Sequence, residues 1–260
     1  VWIIAELHLM FGAFVLGVPM FAVTVEYVGV LTKEERYDRL AKDFTRLLSA
    51  SFALTAALGG LLTFALFTLY PKVMTFMSGI FHESFYIYAF FFFGETFVLY
   101  FYYYSWDRLK DRKGIHISAG VLLNIIGLII MGISNSWATY MMSPSGIDPE
   151  TMKFTGTLMD AIWNPLWNPL NLHRILGNAV FGGYVAGAYA AVKFLTAQTD
   201  EDRAHYDWMG YVGNFIAIVS LLFLPFAGYY LGREVYSFSP IMGNNMMGGA
   251  FSWTFIIQAI

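Results

Sequence analysis

Runs of roughly twenty predominantly apolar residues recur seven times along this chain, near 1–31, 47–70, 84–106, 117–142, 174–195, 208–231 and 246–260. Wound as a helix, about twenty residues match the ~30 Å hydrocarbon core of a bilayer. Lipid offers no partner for backbone N–H and C=O groups, so successive runs of this kind fold as helices packed side by side. Composition agrees: 58% hydrophobic residues, 13% charged residues and a mean hydropathy of +0.57 are more apolar than a water-soluble domain of 260 residues needs. The sequence therefore predicts an all-α integral membrane protein, a polytopic bundle of about seven transmembrane helices forming a single membrane domain over 1–260. The seventh run is too short to cross unless the chain continues. Both ends fall inside apolar runs, so a longer parent protein is expected.

The few charges then carry information by their placement. Eleven of the fifteen basic residues fall in the connections after the first, third and fifth runs, over 31–46, 105–116 and 193–207. Only Lys72, Lys153, Arg174 and Arg233 fall on the other side. Basic loops stay on the cytoplasmic side, which puts the N-terminus and the long 143–173 connection outside. In that connection SPSGIDPE and the doubled NPLWNPL are expected to break helix. A net charge of −3 gives no footprint for nucleic acid. The absence of cysteine excludes disulfides, thiolate-held iron–sulfur clusters and thioether-attached haem, leaving His, Met, Glu and Asp as ligands.

Ionisable residues at membrane depth are the functional candidates, because an unpaired charge there costs several kcal/mol (about 3 on insertion scales). His8 lies in the first run, with Gly12 and Gly17 following and leaving room for a large planar group. Glu26 is eighteen residues beyond His8, about 27 Å along a helix at 1.5 Å per residue, so the two cannot pair. Glu6 is expected at the outer interface and Glu26 at the inner one, serving protons and anchoring rather than a salt bridge. Glu95 lies in the third run. Each has a plainer reading: His8 as a neutral histidine hydrogen-bonded to a neighbouring span, Glu95 as a buried acid sharing a hydrogen bond with a tyrosine of its own span.

Short motifs in a consistent order give the chain a resemblance. His8, Phe11, Gly17 and Glu26 keep fixed offsets; the third run ends ETFVLYFYYYSWDRL, with Glu95 eleven residues before Trp106; SWATYMMSPSG, ETM, an Asn-Pro ahead of a histidine, and GYVAGA follow. In these the sequence resembles subunit I of the cytochrome bd quinol oxidases over its first six or seven helices. The resemblance implies that His8 ligates a haem iron and that Glu95 belongs to a proton path, with Glu26 a further candidate. It also implies one or more b-type haems with a second haem type left open, membrane quinone as substrate, and a multi-pass place in a prokaryotic plasma membrane. Other membrane subunits of a respiratory complex, with a c-type cytochrome at the outer surface among the candidates, are the implied partners.

The chain departs from the family at three places. Ile87 stands where a second glutamate is expected, with His82 and Glu83 nearby as stand-ins. The low-spin haem histidine aligns either with His173, nine residues after Asn164, or with Asn178, counted back from GYVAGA. His173 is favoured, since Gly177, Gly182, Gly183 and Gly187 on the same helix can seat a porphyrin. The quinol loop's Gln-Pro, lysine and glutamate are replaced by SPIMGNNMMGG, with Met242 and Met247 at the corresponding positions. These departures lean toward a divergent relative in which oxygen reduction is in question. A non-redox membrane subunit or transporter, with the buried His and Glu lining a proton or solute path, remains the alternative.

Overall fold

The computed structural model describes residues 1–249 and 253. It is all-helical, and six of its helices are long and apolar enough to cross a membrane. In chain order these are α1 (Trp2–Thr32), α2 (Glu35–Leu69), α3 (Pro71–Tyr104), α4 (Lys113–Met142), α6 (Trp167–Thr196) and α7 (Asp200–Phe238). Two short helices, α5 (Leu158–Ile162) and α8 (Pro240–Met247), follow α4 and α7. The expected seventh run, 246–260, falls almost entirely outside the described residues.

Several helices extend beyond the apolar runs. The expected 31–46 connection is helical except at Lys33 and Glu34, where Lys33 turns the chain in the left-handed region at φ 58°. Helix α3 begins at Pro71, where proline's missing N–H costs nothing because a first-turn N–H has no intrahelical acceptor. It bends at Phe81 (φ −103°, ψ 17°), whose ring packs edge-on against Tyr140. The doubled Asn-Pro behaves differently at its two copies. Asn164 closes the loop by bonding Ser143 and Thr139, while Pro169 is accepted inside the first turn of α6. In the loop between α4 and α5, the backbone N–H groups of Thr151 and Glu150 hold the Asp148 carboxyl below the usual aspartate range. Asp160 is held down in the same way by Thr157, its partner in the capping box of α5.

Small residues set the helix crossings. Gly17 of α1 lies against the backbone of Asn178 in α6, and Gly182 against Val18 and Phe21, so α1 and α6 run parallel. A Cβ on Gly183 would stand 2.6 Å from the Gly213 carbonyl of α7. Buried Phe14, Val18, Phe21 and Val25 of α1 also share one core with Phe44, Leu48 and Phe52 of α2. The basic connections meet at one end of the bundle. There Arg39 binds Asp202 at 2.6 Å, Lys42 binds Asp107 at 2.8 Å and His205 binds Asp43 at 2.8 Å.

Candidate functional site

The chain has five histidines, and their surroundings sort them. His116, in α4, is fully buried with both ring nitrogens engaged, Nδ1 with a Glu26 carboxylate oxygen at 2.7 Å and Nε2 with the Tyr102 carbonyl at 2.8 Å. His205 is held by Asp43 at the basic end of the bundle. His82 is exposed on the flank of α3, its ring 5.0 Å from that of Tyr86. Ile87 and Glu83 are exposed there too, and among the described residues His82 and Glu83 make no hydrogen bond or ion pair with another site residue. Two remain, His8 and His173, both half-buried.

His8 donates from Nδ1 to the Thr55 carbonyl of α2 at 3.0 Å. The plainer reading of this histidine, a bond to a neighbouring span, is thus realised at one nitrogen only. A ring whose Nδ1–H is fixed by a carbonyl has its tautomer set and presents Nε2 as a lone-pair donor, the usual condition of a metal-bound imidazole. Gly59 makes room for the ring, since a Cβ there would meet His8 Cε1 at 2.9 Å. The expected role of Gly17 needs correction: it is taken up by the α1–α6 crossing, whereas a Cβ on Gly12 would meet only a Thr55 methyl at 4.0 Å.

His173 lies on α6 beside Gly228 of α7, and its Nδ1 is buried with no hydrogen-bond partner among the described residues. An unpartnered buried nitrogen is costly unless a ligand meets it. Of the glycines expected to seat a porphyrin, Gly182, Gly183 and Gly187 are occupied by neighbouring helices, whereas Gly177 has nothing within 4 Å. The competing position, Asn178, is only 4% exposed and donates to the Met131 sulfur at 3.5 Å. It is packed against Gly17 of α1 and Met131 of α4, and an amide is a poor ligand for haem iron. Because α1 and α6 are parallel, His8 and His173 lie toward the same end. They precede the Gly17–Asn178 contact by nine and five residues, about 13 and 8 Å along their helices.

Glu95 is 5% exposed on α3 and looks toward Gly127 of α4. It lines a cavity of about 10 Å³ with Asn124, Met131 and Asn178, room for a single water. No side chain among the described residues hydrogen-bonds its carboxyl, so the tyrosine partner of the plainer reading is not there.

Glu26 corrects the sequence reading most sharply. It is buried within the bundle, 1% exposed, and accepts bonds from Tyr102 at 2.7 Å, Lys113 at 3.0 Å and His116 at 2.7 Å. Lys113 also pairs with Asp38, which accepts from Trp106 at 3.1 Å. Glu26 is therefore an ion-pair centre joining α1, α3 and α4, contrary to the expectation that it makes no salt bridge. Sequence reasoning also missed His116, Gly59 and Arg174. His116 had a signal, being the one histidine near the Trp-Asp-Arg-Leu motif; Gly59 had one as half of a Gly-Gly pair inside a span.

Together, the two half-buried histidines with a nitrogen to spare fit axial ligation of haem, and Glu95 with its cavity fits a proton relay. Comparisons with known proteins bear on the same reading. The family profile of cytochrome bd terminal oxidase subunit I matches residues 2–249. A Bacillus subtilis (strain 168) protein provisionally named cytochrome bd menaquinol oxidase subunit I is 24% identical over 195 residues, which cover 75% of this chain and 44% of that protein. The structure of bd oxidase from Geobacillus thermodenitrificans superposes with a TM-score of 0.79 at 19% identity, covering 92% of this chain and 55% of the other. The chain thus spans about half the length of the relatives it matches.

Proposed function

Because the chain belongs to the cytochrome bd terminal oxidase subunit I family, a family of multi-pass proteins of the prokaryotic plasma membrane, we propose that it is the haem-binding part of a respiratory quinol-oxidising complex. In this reading His8 and His173 are axial ligands of b-type haem, and electrons pass between that haem and membrane quinone. The observation that carries it is the pair of half-buried histidines near one end of the bundle, each with a ring nitrogen that no group among the described residues uses. The haem, when bound, supplies the one-electron couple that neither side chain has. The protein supplies the imidazole nitrogens, the Thr55 carbonyl that orients one of them, and an apolar surround that keeps water from the iron.

Glu95 relays protons. It sits in a low-dielectric interior with a water-sized cavity at its carboxyl, so the proton can move by a local reorientation of one water. Glu26, saturated by three donors, is assigned to anchoring the inner end and not to catalysis. The N-terminus and the loop before α6 face outward, and the ion-paired end faces the cytoplasm. With Ile87 in place of the family's second glutamate, the proposed activity stops at electron transfer between quinol and haem. Other membrane subunits complete the complex; the outer c-type cytochrome finds no support among the relatives and is not proposed.

A reduced-minus-oxidised visible spectrum of the purified chain tests the reading. A low-spin b-type difference band is expected. A featureless spectrum from a folded, haem-supplied protein would favour a non-redox membrane subunit.

A further inference from the structure

One half-buried cation has no counter-ion among the described residues. Arg174, one residue after His173 on α6, donates from Nη1 to Asn135 Oδ1 at 2.5 Å. Asn135, itself 0% exposed, donates in turn to Asn171 Oδ1 at 2.7 Å, and Asn171 to the Trp167 carbonyl at 2.9 Å. This amide chain orients the guanidinium but brings no negative charge. The other cations that reach into the bundle are neutralised, Lys113 by Glu26 and Asp38, Arg39 by Asp202 and Glu201. Among the described residues no carboxylate lies within 4.0 Å of Arg174. A guanidinium has five N–H donors in a flat fork, matched to the two oxygens of a carboxylate. Arg174 is half-buried, and none of its nitrogens is among the buried unpartnered atoms, so the donors that Asn135 does not use face open space where an anion can meet them.

Location identifies what arrives. Arg174 adjoins His173 in sequence and lies within electrostatic range of both His8 and Tyr88. Tyr88 in turn lies within range of Glu95. The guanidinium thus neighbours both proposed haem ligands. A haem carries its own pair of carboxylates, the propionates, at one edge of the ring. We propose that Arg174, oriented by Asn135 and Asn171, binds a propionate of the haem held by His8. The inference rests on the haem reading above and adds the residue that fixes the rotation of the ring about its axial bond. Asn135 and Asn171 are positioning residues, and Arg174 makes the contact.

The test uses haem and haem dimethyl ester, in which both propionates are blocked, on the intact chain. Wild-type protein is expected to retain haem at least tenfold better than the ester, measured as the rate of transfer to a haem scavenger. In Arg174→Gln that preference is expected to fall to about unity, and in Arg174→Lys to recover in part. The component lost in His8→Ala is also expected to become harder to reduce in Arg174→Gln, tenfold in its equilibrium, which is 59 mV for a one-electron couple. Equal retention of haem and ester by the wild-type chain would overturn the proposal while leaving histidine ligation intact, and it requires no variant to fold. A shift in the His173-dependent component alone would also overturn it. A wild-type chain that takes up neither compound would sink the haem reading itself.

Discussion

Glu26→Gln removes the one charge that holds α1, α3 and α4 together at their basic end. The side chain is fully buried and faces three donors: Tyr102 Oη at 2.7 Å, Lys113 Nζ at 3.0 Å and His116 Nδ1 at 2.7 Å. His116 is fixed on its other side by the Tyr102 carbonyl, at Nε2. Glutamine keeps the shape but leaves Lys113 with Asp38 as its sole carboxylate and sets a neutral amide against Tyr102 and His116. Breaking a buried ion pair on one side costs about 3–5 kcal/mol. Lys113 is 19% exposed and recovers some hydration, which places the expected loss near the lower figure, about 3 kcal/mol. At roughly 2–4 °C per kcal/mol for a chain of this size, the melting temperature in detergent should fall by about 6–12 °C. Glu34→Gln, at an exposed pair with Arg36, is the control and should cost about 1 kcal/mol or less. The haem difference band should keep its shape in Glu26→Gln, since His8 lies about 27 Å away along α1. A Glu26→Gln protein melting within about 2 °C of the parent would refute the view that this cluster carries the inner end.

Two further predictions follow from geometry. Gly183→Ala places a methyl 2.6 Å from the Gly213 carbonyl and 2.9 Å from Ala217 Cβ, so α6 and α7 must separate at a cost of about 1–3 kcal/mol, whereas Gly177→Ala meets nothing within 4 Å and should cost nothing; equal melting of the two variants would contradict the crossing. Since the chain has no cysteine, Lys110→Cys and Ser145→Cys should label from opposite sides with an impermeant thiol reagent, and labelling of both from outside would reverse the orientation.

Hydropathy located the long helices because it measures what lipid demands, and it misplaced their ends for the same reason. Residues 35–46 are too charged to register as a span, yet they continue α2 past the membrane, where Arg39 and Lys42 reach partners on other helices. The histidines were legible as candidates from their type and depth. Their surroundings were not: His8 is oriented by a backbone carbonyl 47 residues away, and no side-chain pattern announces a carbonyl. Gly17 illustrates the same limit, because spacing on one helix cannot tell a glycine that admits a cofactor from one that admits a neighbouring backbone. Glu26 was misjudged because its partners come from two other helices. Arg174 was counted only as a charge on a loop, although its place beside Asn135 and Asn171 makes it part of the site.

The central claim is that His8 and His173 each hold haem iron. Haem content per chain, measured by conversion to the pyridine complex in the parent, His8→Ala and His173→Ala, tests it most directly. Each substitution should remove a distinct haem component while the protein still assembles in the membrane, and added imidazole should restore part of the His8→Ala signal by entering the vacated position beside Gly59. Full haem content and an unchanged difference spectrum in either variant would contradict the assignment of that histidine.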